Sequence, residues 1–190
     1  MRSTLRLILQ PLAIAIVLAM LVRAVVHIYS IPSASMEPTL QIGDTIAVIP
    51  YFRGEPARGD VIVFHALTGE ELLVKRVIGT PGDFVDSHAG HVRVGGHEIA
   101  EPYVLRQGAS ELTQAQVVPS RCYYVLGDNR DDSSDSRTWG VVPRELVVGR
   151  ARVVLWSSPL FGDPARATTL RRESERADGA RARRLFKRIE

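Results

Sequence analysis

One strand is predicted by the run Leu72-Leu73-Val74-Lys75-Arg76-Val77-Ile78, which is rich in β-branched and other apolar residues. Only two of the 24 basic residues in the chain are lysines, and Lys75 stands where an amine is expensive to bury. Arginine keeps its proton at any cellular pH, but a buried lysine amine can lose its proton near neutrality. Lys75 is therefore a candidate general base.

Four further runs have the same character and are separated by turns that contain glycine or proline. They are residues 45–49, 61–64, 123–126 and 147–156. Short strands joined by such turns predict a mainly β fold, an antiparallel barrel-like or sandwich-like domain. The sequence has no internal repeat and no metal-ligand spacing, and its one cysteine, Cys122, cannot form an intrachain disulfide.

A single long apolar segment precedes this predicted domain. It runs over residues 7–22, interrupted only by Gln10 and Pro11, and extends further if Arg23 carries its charge to the head groups. A membrane span needs roughly 20 mostly apolar residues, so the segment predicts one transmembrane helix. Two arginines precede the segment and no Lys or Arg follows Arg23 until Arg53, which predicts a cytoplasmic N-terminus. A cleavable secretory signal is the alternative.

The basic character of the chain belongs to its C-terminal tail. Residues 166–190 carry nine Lys or Arg and four Asp or Glu, a net charge of +5, whereas the rest has 15 basic and 17 acidic residues. We expect a solvated, partly helical end, with contact to anionic lipid as the alternative. No aromatic interleaving or nucleic-acid motif accompanies the arginines, which disfavours nucleic-acid binding.

A serine cluster follows the apolar segment and supplies the first of four ordered motifs. The four are Ile31-Pro32-Ser33-Ala34-Ser35-Met36-Glu37-Pro38-Thr39-Leu40, Arg58-Gly59-Asp60-Val61-Ile62-Val63-Phe64, Lys75-Arg76-Val77-Ile78-Gly79-Thr80-Pro81-Gly82-Asp83 and Gly127-Asp128-Asn129-Arg130-Asp131-Asp132-Ser133-Ser134-Asp135-Ser136-Arg137. Together they closely resemble the motif boxes of bacterial type I signal peptidase. Each motif is weak by itself, whereas four in order after an apolar segment are specific. The resemblance covers about residues 7–160 and excludes the tail.

The resemblance implies three regions. Residues 1–29 would be a cytoplasmic start and transmembrane anchor, and residues 161–190 an Arg-rich tail. Between them, residues 30–160 would form a compact antiparallel β-barrel or sandwich-like peptidase domain on the extracytoplasmic side. Residues 84–122 would be a short accessory β region within that domain.

The resemblance also implies a Ser–Lys dyad. Ser35 would be the nucleophile and Lys75 its general base, with the pKa of the amine brought from about 10.4 to about 7–8 by burial. The Ser35 backbone N–H and the Ser33 hydroxyl would form the oxyanion hole. A serine hydroxyl is a poor nucleophile until a base takes its proton, which is why the chemistry needs both groups.

Supporting and substrate-binding residues follow from the same motifs. Ser133 would orient Lys75 through a hydrogen bond, and an ion pair between Asp135 and Arg137 would hold their loop. Without the resemblance that pair would be an ordinary surface ion pair. Substrate pockets would be lined by Ile31, Met36, Val63 and Val74, for which simple core packing is the alternative.

The implied activity is that of a membrane-bound serine endopeptidase. It would remove N-terminal signal peptides from exported preproteins after sites of the Ala-x-Ala kind, through an acyl-enzyme and without a metal or other cofactor. The peptide would bind as an added strand at a sheet edge. The expected partners are preprotein signal peptides and membrane lipid, not nucleic acid, and we expect a monomer in the cytoplasmic membrane.

Three other functions remain open at this level. A Ser-His-Asp hydrolase would use one of His27, His65, His88, His91 and His97, but no Gly-x-Ser-x-Gly nucleophile motif is present. A dedicated-substrate Ser–Lys maturation peptidase, of the pilus or conjugation type, has the same motifs. An inactive membrane-anchored binding homologue is disfavoured because the serines and the lysine of the motifs are intact.

Overall fold

The computed structural model describes residues 2–104, 115–157 and 187–189 of the chain. These residues contain two α-helices and eleven strands, with α1 before the first strand and α2 between the ninth and tenth. In chain order the elements are α1 (Arg2–Val25), β1 (His27–Ser30), β2 (Asp44–Ile49), β3 (Val61–His65), β4 (Leu72–Gly79), β5 (Phe84–His88), β6 (His91–Val94), β7 (His97–Glu98), β8 (Gln116–Val117), β9 (Cys122–Leu126), α2 (Ser136–Trp139), β10 (Val142–Pro143) and β11 (Val147–Ser157).

Helix α1 covers the apolar segment near the start of the chain. It is 24 residues long, contains Pro11 and has Arg23 in its last turn. Within the part of the chain that the structure describes, no helix is long and apolar enough to cross a membrane. The transmembrane anchor therefore stays a prediction.

A seven-stranded sheet forms most of the β structure. Its strand order is β1-β2-β11-β3-β4-β9-β10, and every neighbouring pair is antiparallel. The two edge strands, β1 and β10, do not pair with each other, and β10 is only two residues long. A barrel requires its edge strands to hydrogen bond around the ring. The mainly β, antiparallel prediction is thus confirmed, and of its two alternative forms the closed barrel is not found among the described strands.

All five predicted strands form, as β2, β3, β4, β9 and β11, and each boundary lies within one residue of its prediction. Strand β1 was not predicted, because its four residues continue directly from the apolar segment. A second, four-stranded sheet has the order β7-β6-β5-β8 and lies within the stretch predicted as an accessory region. Residues 105–114 of that stretch are outside the described residues.

Alternating side chains on β3 and β4 enter two different core clusters. The first core cluster consists of Ile31, Met36, Leu40, Ile46, Val48, Val61, Val63, Ala151, Val154 and Ile189. The second core cluster consists of Ile62, Phe64, Val77, Tyr123, Val125, Val142 and Val147. Across the β3–β4 ladder Val63 pairs with Val74, and Ile62 pairs with Lys75. Because directly paired residues project from the same face, Lys75 projects on the side of the second core cluster.

The C-terminal end returns to the body. Arg188 forms an isolated antiparallel bridge with Val153 of β11, and Ile189 N donates to the Arg152 carbonyl at 3.0 Å. The Ile189 side chain is 4% exposed and belongs to the first core cluster. The expectation of a solvated end is therefore wrong for Ile189, because its apolar side chain is removed from water by the core. The predicted partly helical stretch before residue 187 lies outside the described residues.

Candidate active site

The Ser35 and Lys75 side chains meet beside strand β4 of the seven-stranded sheet. Ser35 lies in the loop after β1 and Lys75 in the middle of β4. Lys75 Nζ donates a hydrogen bond to Ser35 Oγ at 2.6 Å, and the two residues are 4% and 8% exposed. A neutral amine at this distance is within reach of the hydroxyl proton. The fold therefore joins the two groups that the chemistry of an activated serine requires.

The pKa of Lys75 is lowered to about 8, chiefly because burial disfavours the charged ammonium. The Asp135 carboxylate opposes this effect, whereas the Arg137 guanidinium reinforces it. Asp128 and Asp132 are smaller influences that favour the charged form. A substantial fraction of the amine is consequently neutral near pH 8, as a general base requires.

Ser33 lies beside the serine of the dyad. Its hydroxyl oxygen is 3.4 Å from Ser35 Oγ, and its side chain is exposed, unlike that of Ser35. When Ser35 Oγ attacks a carbonyl carbon, the negative charge develops on the oxygen bonded to that carbon, so a hydroxyl beside Ser35 Oγ is close to where that charge develops. The proposed oxyanion role of Ser33 is compatible with this placement.

The loop after β9 contacts the backbone that carries the nucleophile. Asn129 N donates to the Ser35 carbonyl at 3.1 Å, and Asn129 Nδ2 donates to the Ala34 carbonyl at 3.3 Å. Gly127 is required by the close approach, since a Cβ atom there would be 2.5 Å from the Ser35 carbonyl oxygen and 2.3 Å from Ser133 Oγ. Gly127 and Asn129 stand in the fourth motif, but no role in the site was predicted for either residue from the sequence.

Asp135 organises the second half of that loop. Its side chain is fully buried and accepts hydrogen bonds from Ser133 Oγ at 2.7 Å, Gly127 N at 3.0 Å and Arg137 Nε at 2.8 Å. The predicted Asp135–Arg137 ion pair is thus present. The contacts that the structure gives Ser133 lead to Asp135 and not to Lys75. Ser133 is therefore positioned to hold Asp135, whose charge in turn acts on the amine.

A buried ion pair, which the sequence analysis missed, ties the dyad strand to the same loop. Arg76 Nε and Nη2 donate to Asp128 Oδ1 and Oδ2 at 2.9 and 2.8 Å, and both side chains are 1% exposed. Thr39 Oγ1, from the nucleophile segment, also donates to Asp128 at 2.5 Å. The Arg76 guanidinium lies 3.9 Å from the centre of the Tyr103 ring. The only sequence signal was the presence of Arg76 and Asp128 in two of the motifs.

A second buried pair joins this loop to the accessory region. Arg130 forms an ion pair with Glu101, and Arg130 Nε donates to the Gly127 carbonyl at 2.9 Å. Tyr103 Oη donates to Glu101 at 3.1 Å. Neither Glu101 nor Tyr103 was singled out from the sequence. The accessory region therefore contributes buried polar contacts to the loop that carries Asn129.

A cleft of about 700 Å³ opens onto the dyad. The apolar side chains of Phe64, Leu73 and Trp139 line it together with the acidic residues Glu71 and Asp132. The remaining lining residues are Ser33, Ser35, Ala66, Leu67, Thr68, Lys75 and Ser134. No histidine is among these described lining residues, and the hydrogen-bond partners of Ser35 Oγ are Lys75 and Ser33. Neither observation favours a Ser-His-Asp arrangement.

The four predicted pocket residues lie on the other face of the β3–β4 ladder. Ile31, Met36 and Val63 are buried in the first core cluster, and Val74 is partly buried against it. None of the four lines the cleft. The fold brings them together, but their role as substrate pockets stays a prediction. Among the described residues, no group of three or more His, Cys, Asp or Glu side chains is placed to hold a metal ion.

Comparison with known proteins adds a family to this geometry. The sequence model of the family "Signal peptidase, peptidase S26" matches residues 3–156. Probable signal peptidase I-2 of Synechocystis sp. is 42% identical over 157 residues, which are 78% of this chain and 72% of that protein. Signal peptidase IB of Staphylococcus aureus is 36% identical over 165 residues, 76% of this chain and 86% of that protein. A crystal structure of a signal peptidase I from Enterococcus faecalis V583 is 30% identical and aligns over 51% of this chain and 97% of its own, with a TM-score of 0.45.

Proposed function

Because the chain belongs to the signal peptidase family, peptidase S26, and is a serine protease of the signal peptidase I type, we propose that it cleaves signal peptides from exported preproteins with a Ser35–Lys75 dyad. The observation that carries the proposal is the 2.6 Å contact between Lys75 Nζ and Ser35 Oγ in a buried setting. Ser35 acts as the nucleophile and Lys75 as the general base. The proposed substrate sites are of the Ala-x-Ala kind.

Two chemical steps follow from this assignment. Neutral Lys75 takes the Ser35 hydroxyl proton while Oγ bonds to the scissile carbonyl carbon, and the Ser35 N–H and Ser33 hydroxyl stabilise the resulting oxyanion. The ammonium then gives its proton to the leaving amine as the peptide bond breaks, which leaves an acyl-Ser35 ester. In the second step Lys75 takes a proton from water as the water oxygen attacks the ester carbon. The ammonium then gives that proton to Ser35 Oγ as the ester bond breaks, which restores the dyad and releases the signal peptide with a free carboxyl group.

Substrate binding by strand addition is supported by an open edge next to the base. On one side, residues 72–76 of β4 pair with β3, whereas the pairing with β9 begins at Arg76. No strand among the described residues occupies the second edge between Leu72 and Lys75. An extended peptide can hydrogen bond to such an edge independently of its side chains. Small residues of the site would then lie against Ile31, Met36, Val63 and Val74.

Membrane anchoring is the other part of the proposal. Apolar side chains along α1 are exposed, among them Leu12, Ile16, Leu18 and Val22, at 48–60%. Exposed apolar side chains on one helix support a lipid environment for it. The asymmetry of basic residues around the segment favours a cytoplasmic N-terminus and an extracytoplasmic peptidase domain. The dyad would then act near the outer membrane face, where signal peptides emerge.

Activity is expected to depend on pH through Lys75. With a pKa of about 8, the amine is half neutral at pH 8, and well below that pH the neutral fraction falls about tenfold for each pH unit. The kcat/KM for a peptide without ionisable side chains should therefore be about 100-fold lower at pH 6 than its plateau value, which is reached above pH 8. Peptide cleavage measured from pH 5 to pH 10 provides the check. A flat profile between pH 5 and pH 9 would count against a lysine base.

The test of the proposed function is cleavage of a preprotein with an Ala-x-Ala site by the detergent-solubilised full chain, with the cut located by mass spectrometry. We expect one cut, directly after the second alanine. Ser35→Ala should give no cut, because the nucleophile is lost, whereas Ser30→Ala, an exposed serine on β1, should cut as the unchanged chain does. Cutting by Ser35→Ala would exclude Ser35 as the nucleophile. No cut by the folded, unchanged chain would favour a dedicated-substrate peptidase or an inactive binding homologue.

A further inference from the structure

The two faces of β4 differ sharply beside the open edge where the substrate is proposed to bind. Val74 projects towards the tightly packed first core cluster. Leu73 and Lys75 instead project on the side of the second core cluster and line the cleft of about 700 Å³. Successive side chains of an extended peptide point to opposite faces of a sheet. A substrate strand on this edge therefore presents alternate residues to the packed face and to the cleft.

The size of the cleft does not suit alanine. Side chains of Phe64, Leu73 and Trp139 line it, and the rings of Phe64 and Trp139 are 5.9 Å apart. Phe64 is fully buried, whereas Leu73 and Trp139 are partly exposed, and a methyl group on the substrate would leave most of their exposed apolar surface in contact with water. The packed face is where the two alanines fit, since they are two positions apart and so share one face. The residue between them then points to the cleft.

We propose that the cleft binds the side chain of the middle residue of the Ala-x-Ala site and favours a large apolar side chain there. The inference rests on the proposed function, because it takes Ser35 as the group that attacks after the second alanine. It assigns a specificity-determining role to Leu73 and Trp139, with the buried ring of Phe64 packed against Trp139, and it makes the middle residue of the site a recognised one.

The charges of the cleft add a second preference. Glu71 and Asp132 are exposed at its rim, and Lys75 is neutral when it acts as the base. No arginine is among the described residues that line the cleft. An acidic middle residue therefore meets two like charges with no fixed cation to offset them, whereas a basic one is attracted. We infer that glutamate at this position is disfavoured relative to glutamine.

The test uses peptides that share one sequence and carry Ala, Phe, Gln or Glu between the two alanines. Pairs of peptides compete in one reaction with the detergent-solubilised full chain, so that the ratio of products gives the ratio of kcat/KM whatever fraction of the enzyme is folded. We expect Phe to exceed Ala by about tenfold and Gln to exceed Glu by about threefold at low salt. Equal cleavage of the Phe and Ala peptides would overturn the apolar assignment.

Two variants connect the preferences to the cleft. Leu73→Ala should reduce the Phe-to-Ala ratio several-fold, because it removes part of the apolar wall. Glu71→Gln should raise cleavage of the Glu peptide relative to the Gln peptide. Its matched control is Glu70→Gln, since Glu70 is also exposed but does not line the cleft, and it should leave that ratio unchanged. A Phe-to-Ala ratio unaffected by Leu73→Ala, or equal effects of Glu71→Gln and Glu70→Gln, would place the recognition elsewhere.

The same peptides distinguish a failure of the cleft assignment from a failure of the proposed function. Cleavage of the Ala-Ala-Ala peptide after its last alanine, absent in Ser35→Ala, tests the proposed function and does not depend on the cleft. If that reference peptide is cut and the middle residue has no influence, only the cleft assignment fails. If no peptide is cut, the proposed function fails with it.

Discussion

Replacing Lys75 with arginine is expected to lower kcat by about 10⁴-fold or more, although the variant keeps the positive charge and most of the side-chain length. A guanidinium does not lose its proton in proteins, so it cannot accept the proton of the Ser35 hydroxyl. It also places a permanent charge in the site where burial otherwise favours a neutral amine. Single-turnover cleavage of an Ala-x-Ala peptide by the purified variant is the measurement.

The chain offers a matched control for this substitution. Lys187 is the only other lysine, and it is exposed near the C-terminus. Lys187→Arg should cleave at the rate of the unchanged protein. If Lys75→Arg also retains activity within about tenfold, a lysine base is excluded, and a different proton acceptor must be sought among the groups around Ser35.

Removing the carboxylate of Asp128 is expected to lower the free energy of unfolding by about 3–5 kcal/mol. Asp128→Ala leaves the guanidinium of Arg76 buried without its bidentate partner, in a site where both side chains are 1% exposed. The hydroxyl of Thr39 loses its acceptor in the same change. Urea unfolding of the detergent-solubilised chain, followed by the far-UV circular dichroism of its β-strands, provides the measurement.

Two comparisons show whether burial is the reason. Arg121→Ala removes an ion pair with Glu145 whose side chains are 71% and 60% exposed, and it should change the free energy of unfolding little because water screens the pair. Replacing both members of the buried pair, Arg76→Met with Asp128→Leu, should recover much of the lost stability because no uncompensated charge remains. A loss for Asp128→Ala no larger than that for Arg121→Ala would contradict a structural role for the pair.

The ion pair between Arg76 and Asp128 is expected to influence catalysis because both residues are adjacent in sequence to residues of the active site. Arg76 follows Lys75 on β4, and Asp128 precedes Asn129, which donates to the carbonyl of Ser35. This buried contact thereby fixes β4, which carries the base, relative to the loop after β9, which is hydrogen bonded to the backbone of Ser35. The pair of Arg130 with Glu101 extends this support to the accessory region. These contacts explain how a dyad on a loop and a strand is held at 2.6 Å.

Much of the fold could be read from short segments. The five strands predicted from runs of β-branched and apolar residues form within one residue of their predicted ends. The turn at Gly59 has a φ of +91°, which glycine adopts without strain, so the position of that turn is also encoded locally. Strand β1 was missed because four residues next to a long apolar segment carry no periodic signal of their own. The choice between a barrel-like and a sandwich-like form was left open, since closure depends on how the edge strands meet.

The candidate site was predictable by residue type and less so by geometry. Four ordered motifs identified Ser35, Lys75 and Ser33, and the structure brings these three together. The partner of Ser133 was expected to be Lys75, but its hydroxyl donates to Asp135. Glu101 and Tyr103 stand outside the motifs, and only their burial against Arg130 and Arg76 identifies them. Such partners are far apart in the chain, so no local sequence pattern predicts them.

The amino-acid order alone therefore specifies the strands, the turns and the chemical groups of the dyad, because each depends on a few consecutive residues or on residue type. The tertiary structure decides which groups meet. The order of β3, β4 and β9 in the sheet, and the register of their pairing, bring Asp128 to Arg76 and aim Lys75 away from the face of Val74. Those choices depend on the packing of two core clusters on opposite faces of one ladder, a property of the assembled sheet that no single segment contains.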